Sequence, residues 1–141
     1  MSVDPTNVDD LETVSLKSGA SDDASWTGGY FSYGGSKAAD SATIYFAIPP
    51  GDRLGKHVDT AEETQFVLSG QADLLLDQGT EQVRAGDVFV LEEGVAHDLL
   101  NTGEEDLRVI AFFSKPEVEQ HWETETWPPD DTKVTGSPNR G

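Results

Sequence analysis

Between Thr43 and Ile48 the side chains alternate. Ile44, Phe46 and Ile48 fall on one side of an extended chain, and Thr43, Tyr45 and Ala47 on the other. A period of two is that of a β-strand whose faces meet different surroundings. Short apolar runs follow at Gln65 to Leu68, Ala72 to Leu76, Val88 to Leu91 and Leu107 to Phe113. Glycines at 70, 79, 86, 94 and 103 separate them, leaving room for short strands but not for helices. The pattern predicts an all-β domain, an antiparallel sandwich or barrel.

Composition divides the chain into three. Residues 1–25 are polar and acidic, and read as an arm that cannot fold alone. Residues 26–114 carry the β pattern. Residues 115–141 hold Trp122, Trp127 and the Pro128-Pro129 pair, and read as an extended tail that needs its own barrel or a partner subunit to lie against. At 141 residues one domain is expected, with a core large enough to stand without disulfides.

Charge narrows the partners. Twenty-seven acidic residues against nine basic ones give −18, so nothing could neutralise nucleic-acid phosphates. No D-x-D-x-D-G loop accompanies the acids, which argues against calcium. Dense surface carboxylates suit high salt instead, where screening weakens their repulsion, and the balance resembles that of proteins from salt-accumulating archaea. Without cysteine there is no thiolate metal site, disulfide or cysteine nucleophile. No apolar run is long enough to span a bilayer, and the acidic start lacks the basic and apolar regions of a leader, so a cytoplasmic protein is expected.

Two of the three histidines sit in unusual surroundings. Gly51, His57, Asp59, Glu63 and Gly70 form one series, in which alternation puts His57 and Asp59 on one face and lets Glu63 return to it after a tight excursion. Gly86, Glu92, Gly94, His97 and Asn101 form the second, whose glycines allow a sharp turn that delivers His97 from a different strand. Glu62 should point outward. His121 belongs to neither series and reads as packed or solvated, and Asn101 and Gly94 as turn residues. Counting by twos places Gln65 and Val67 on the face of Glu63, and Leu99 on that of His97. Ile44 with Phe46, or Thr43 with Tyr45, would line the opposite sheet. The expected cavity is mainly apolar with one polar centre, and Gln65 is its candidate for a hydrogen bond to a metal ligand or substrate. Arg53 shares the parity of His57, but the Gly51 to Gly55 stretch is too irregular for parity to decide, and Arg53 is read as a surface residue.

At these residues the sequence resembles the cupin superfamily. The pattern G-x5-H-x-H-x3,4-E-x6-G is met by Gly51, His57, Glu63 and Gly70, with Asp59 replacing the second histidine. G-x5-P-x-G-x2-H-x3-N is met by Gly86, Gly94, His97 and Asn101, with Glu92 replacing the proline. The resemblance covers roughly residues 42–114. It implies a double-stranded β-helix, or jelly-roll, barrel and one divalent transition metal per chain on His57, Asp59, Glu63 and His97. Two carboxylates would neutralise the ion, where the usual three histidines and one glutamate leave +1. If Asp59 does not bind, His57, Glu63 and His97 form a two-histidine, one-carboxylate triad. Iron, manganese, cobalt, nickel and zinc all remain open.

The resemblance spans enzymes and binding proteins. The leading expectation is an oxygenase-like metalloenzyme acting on a small organic molecule such as an enol, diol or keto acid. The alternative is a non-catalytic small-molecule binding or sensing module. Metal-free epimerisation by a histidine base is disfavoured by the carboxylates crowding His57. Small cupins of this kind are commonly homodimers, and a homodimer is expected here.

Overall fold

A computed structural model describes residues 3–138 of the chain; the outermost residues of the expected arm and tail lie outside this range. Among the described residues, the only helical element is a single 3₁₀ turn, Val8–Asp10. The thirteen strands among the described residues make two sheets. The larger runs in the order β1 (Val14–Lys17), β2 (Ser25–Gly34), β4 (Ala42–Ile48), β11 (Leu107–Phe113), β6 (Glu63–Ser69) and β9 (Val88–Leu91), with the short β3 (Lys37–Ala38) on β2. The smaller runs β13 (Val134–Gly136), β12 (Glu119–Trp122), β5 (His57–Asp59), β10 (His97–Asn101), β7 (Gln71–Leu76) and β8 (Gly79–Arg84). The molecule is all-β, two sheets facing each other as in the jelly-roll barrel that the resemblance implies.

The alternation read from the sequence becomes the core. Phe46, Ile48, Val67, Val109, Ala111 and Leu107 from the larger sheet bury against Leu74, Leu99 and Trp122 from the smaller. Removal of such side chains from water is the main favourable term in folding. Gly70 makes the corner between β6 and β7 at φ +86°, where a Cβ would lie 2.9 Å from the Asp106 carbonyl oxygen, so no other residue fits without displacing that backbone.

Both terminal segments contribute strands. β1 pairs antiparallel with β2, and β12 pairs with β5 and β13. Trp122 and Trp127 are buried and pack with Trp26 at 6.3 and 5.5 Å between ring centroids. The tryptophans of residues 115–141 thus dock on this chain's own barrel. Arg53 is not simply at the surface: half-buried, it reaches Asp23 at 3.3 Å and the buried Asp98 at 3.5 Å. An irregular stretch gave no parity by which the sequence could show this.

Candidate metal centre

Three strands from two sheets bring the polar residues together. In β5, His57 and Asp59 face inward and Val58 lies between them. The chain then crosses between sheets, and Glu63 opens β6 on the opposite wall. His97 opens β10 directly opposite His57 in the antiparallel register. Gly94, at φ +81°, turns the chain toward His97 and donates its N–H to the Asp59 carbonyl at 3.0 Å, tying the second series to the first. All four side chains are buried.

His97 Nε2 lies 3.4 Å from Asp59 Oδ2 and 3.4 Å from Glu63 Oε1, and His57 Nε2 lies 3.6 Å from Asp59 Oδ2. These separations are too long for good hydrogen bonds. Donor atoms bound at about 2.0–2.2 Å to one tetrahedral ion stand roughly 3.3–3.6 Å apart, so they suit a shared ion. Each ring is fixed from behind: His57 Nδ1 donates to the Gly55 carbonyl and His97 Nδ1 to the Val95 carbonyl, both at 2.9 Å. With Nδ1 bonded to an acceptor, Nε2 is the nitrogen aimed inward, the arrangement typical of metal-binding histidines. Both Asp59 oxygens, Glu63 Oε1 and His97 Nε2 are buried without a hydrogen-bond partner. Orphaned buried acceptors are costly, and a cation among them removes that cost. The donor set therefore fits a divalent ion, and His57, Asp59 and His97 form a group that could hold one.

Electrostatics tell the same story. Burial, then the charge of His97, pushes the His57 imidazole down to about 3, so it stays neutral and ready to ligate. Burial and the neighbouring Glu63 carboxylate raise Asp59 well above the usual carboxylate range. Glu63 is lowered, because burial is outweighed by its contact with His97. For His97 burial acts downward, but Glu63 and Asp59 prevail and lift it to about 9. Without a metal, one proton sits on His97 where a ligand's lone pair is needed.

Around this centre lies a cavity of about 30 Å³, walled by Trp26, Ile44, Phe46, Leu54, Phe113, Gln120 and Trp122 together with His57, Asp59 and Glu63. A space of that size holds one or two waters and falls about tenfold short of an organic ligand. Ile44 and Phe46 form its far wall, and Val67 and Leu99 are fully buried. Gln65 is fully buried behind Glu63 and donates from Nε2 to Glu63 Oε2 at 3.1 Å, but it does not line the cavity. Glu62 and His121 are exposed. Asn101, expected in a turn, is instead the last residue of β10, where its buried side-chain amide donates to the Ile48 and Glu105 carbonyls and ties down the loop that follows.

Sequence reasoning missed Trp26, Gln120 and Trp122. β12 lies beside β5 with Gln120 opposite Asp59 and Trp122 opposite His57, so both point into the cavity. It also missed Gly55, at φ +110°, where a Cβ would fall 2.8 Å from Glu125 Cγ and 3.1 Å from the Trp122 ring. Its N–H donates to Asp98 Oδ1 at 2.8 Å while its carbonyl holds His57.

Two sheets closed over an inward histidine–carboxylate cluster define a double-stranded β-helix barrel with a candidate metal centre. The Cupin domain family matches residues 44–113. An uncharacterized protein of Streptomyces coelicolor is 36% identical over 72 residues, 51% of this chain and 68% of that protein. The oxalate-binding protein of Thermotoga maritima is 35% identical over 68 residues, 47% of this chain and 55% of that one. A solved sugar phosphate isomerase of the cupin superfamily from Silicibacter pomeroyi shares the fold, with a TM-score of 0.70 at 15% identity over 96% of this chain and 93% of its own. The chain belongs to the cupins.

Proposed function

We propose that this cupin is an oxygenase-like metalloenzyme that binds one divalent transition metal through His57, Asp59, Glu63 and His97 and acts on a small organic molecule. The observation that carries the metal reading is the convergence of four buried donor groups, several of their atoms unpartnered, from opposite walls of one barrel. A bound iron or manganese would supply Lewis acidity and redox chemistry at positions left open to substrate and oxygen. The protein's own part is positioning and exclusion. Gly55 and Val95 hold the imidazoles in one tautomer, Gln65 turns the Glu63 carboxylate inward, and the aromatic walls keep bulk water out. Two carboxylates on one ion favour its oxidised state relative to a three-histidine site. Gln65 would act on substrate through Glu63 rather than by touching it.

Among the described residues no helix is long and apolar enough to cross a membrane. A cytoplasmic setting at high salt agrees with the −18 charge. A homodimer is favoured by one exposed apolar face, on which Phe66 stands opposite Val88 with Val90 and Phe112 close by.

The second reading is a binding module without turnover, and the oxalate-binding relative favours it. Oxygen uptake separates the two. Iron- or manganese-loaded protein presented with diols, enols and keto acids should consume oxygen with at least one of them. Ligand binding that protects the protein from heat while oxygen stays untouched throughout would establish the binding module.

A further inference from the structure

A second, much larger hollow adjoins the metal cavity. It encloses about 880 Å³ between β1, β2 and the 3₁₀ turn on one side and β12 and β13 on the other. Trp26, Ile44 and Gln120 line both spaces, so the groove and the cavity share a wall. Volumes of roughly 300–1,000 Å³ are those of organic-ligand sites, and the cavity alone is far below that range. We infer that the groove is the binding site for the body of an extended, uncharged aromatic molecule, whose oxygen-bearing end passes Gln120 to reach the metal centre.

The lining defines that chemistry. Trp26, Tyr30, Phe31 and Tyr33 border the groove, with Val14 and Leu16 along its edge. Aromatic rings favour flat, polarisable partners in stacked or edge-on contact. Charge at the rim is sparse, two acids against one lysine. Asp10 and Glu12 would repel an anion, and the lone lysine of the lining, Lys37, already sits over the Phe31 ring at 4.7 Å. An uncharged ligand meets neither obstacle. The groove's shape depends on Gly29, where a Cβ would collide with the Glu12 carbonyl oxygen; glycine there lets the chain before β1 lie close across β2.

Gln120 stands where the two spaces meet. Its Nε2 donates to the Tyr30 hydroxyl at 3.2 Å, its Oε1 accepts from Thr135 Oγ1 at 3.0 Å, and Thr135 Oγ1 accepts from Trp122 Nε1 at 2.8 Å. A ligand hydroxyl or carbonyl arriving from the groove would exchange with one of these bonds at little cost, because a polar group replaces a polar group. The chain of bonds thus links the groove's aromatic wall to the tryptophan that covers His57.

The inference rests on the metal reading only for the ligand's orientation, and calorimetry can separate the two. The probes are 2-naphthol, 2,3-dihydroxynaphthalene and phenol, titrated into metal-free and metal-loaded full-length protein. Both naphthols should bind at least tenfold more tightly than phenol. Val14→Asp and Phe31→Ala, at positions in the groove and away from the centre, should each weaken the naphthols several-fold without changing the circular dichroism spectrum. Metal should tighten 2,3-dihydroxynaphthalene and leave 2-naphthol unchanged. Naphthol binding no tighter than phenol's, or indifferent to both substitutions, would overturn the groove assignment. Naphthol binding that obeys both substitutions but gains nothing from metal leaves the groove standing and removes the metal as its anchor.

Discussion

The Trp122 ring lies against the His57 ring, with centroids 4.3 Å apart and planes inclined by 36°. Register explains it: β12 and β5 are antiparallel neighbours in which these two residues are paired. A residue close to the end of the chain thereby closes the site that two central segments build.

Loss of that cover should cost both stability and affinity. Trp122→Ala removes a buried indole, a change worth about 3–5 kcal/mol in most cores. It should lower the denaturation midpoint and weaken metal binding, because the His57 ring loses its backing. Trp122→Phe should recover most of both. Chemical denaturation and metal titration of the two variants would check this, and a Trp122→Ala protein of normal metal affinity would show that the cover is dispensable.

Proton release gives an independent test. His97 in the metal-free site is lifted to about 9, above an ordinary histidine, so its proton stabilises the metal-free fold fully below about pH 6.5. That contribution is lost as pH rises through about 9. Metal binding must expel the same proton, and a further one if Asp59 also holds one. Apparent affinity should therefore climb about tenfold per pH unit for each proton displaced, and level off above about pH 9. Calorimetry in buffers of different ionisation enthalpy counts the protons directly.

How far could the site be read beforehand? His57, Asp59, Glu63 and His97 lie in two short series whose spacing, with alternation along strands, put them on inner faces; in the structure His57, Asp59 and His97 form one group, and Glu63 Oε1 stands 3.4 Å from His97 Nε2. Gln65, Val67 and Leu99 followed by parity. Trp26, Gln120 and Trp122 did not, because local periodicity says which face a residue occupies but not which strand will lie beside it. Four residues of β12 carry too little alternation to stand out, and their neighbour β5 is far away in the chain. The link from Asp98 through Gly55 to His57 was hidden for the same reason: it joins segments through backbone atoms that carry no sequence signal.

Asp59 is where this chain departs from the usual cupin ligand set. If it coordinates, Asp59→His should keep the metal, restore a +1 centre and raise the reduction potential of bound iron or manganese. Asp59→Ala should lower affinity. If Asp59 only orients a metal-bound water, the alanine variant should keep its metal and change mainly in pH dependence. Metal titration and voltammetry of both variants decide. Wild-type affinity in Asp59→Ala together with an unshifted potential in Asp59→His would leave the three-residue triad.

Salt should act on both fold and assembly. With −18 to screen, the melting temperature should rise by several degrees between dilute buffer and molar KCl. The face bearing Phe66, Val88, Val90 and Phe112 should then pair with its copy in a second chain. Light scattering in molar KCl should give twice the chain mass, and Val88→Asp should return it to one. A monomer under all conditions would assign that face to another role.

The central claim is that four buried side chains hold one metal ion. Equilibrium metal binding, by elemental analysis after dialysis in molar KCl, addresses it directly on the wild type and on His57→Ala, Glu63→Ala and His97→Ala. The account predicts one divalent transition-metal ion per wild-type chain, and in each variant a loss of at least tenfold in affinity with the β-sheet circular dichroism signal unchanged. Stoichiometric metal retained in all three variants, or none bound by the folded wild type, would contradict it.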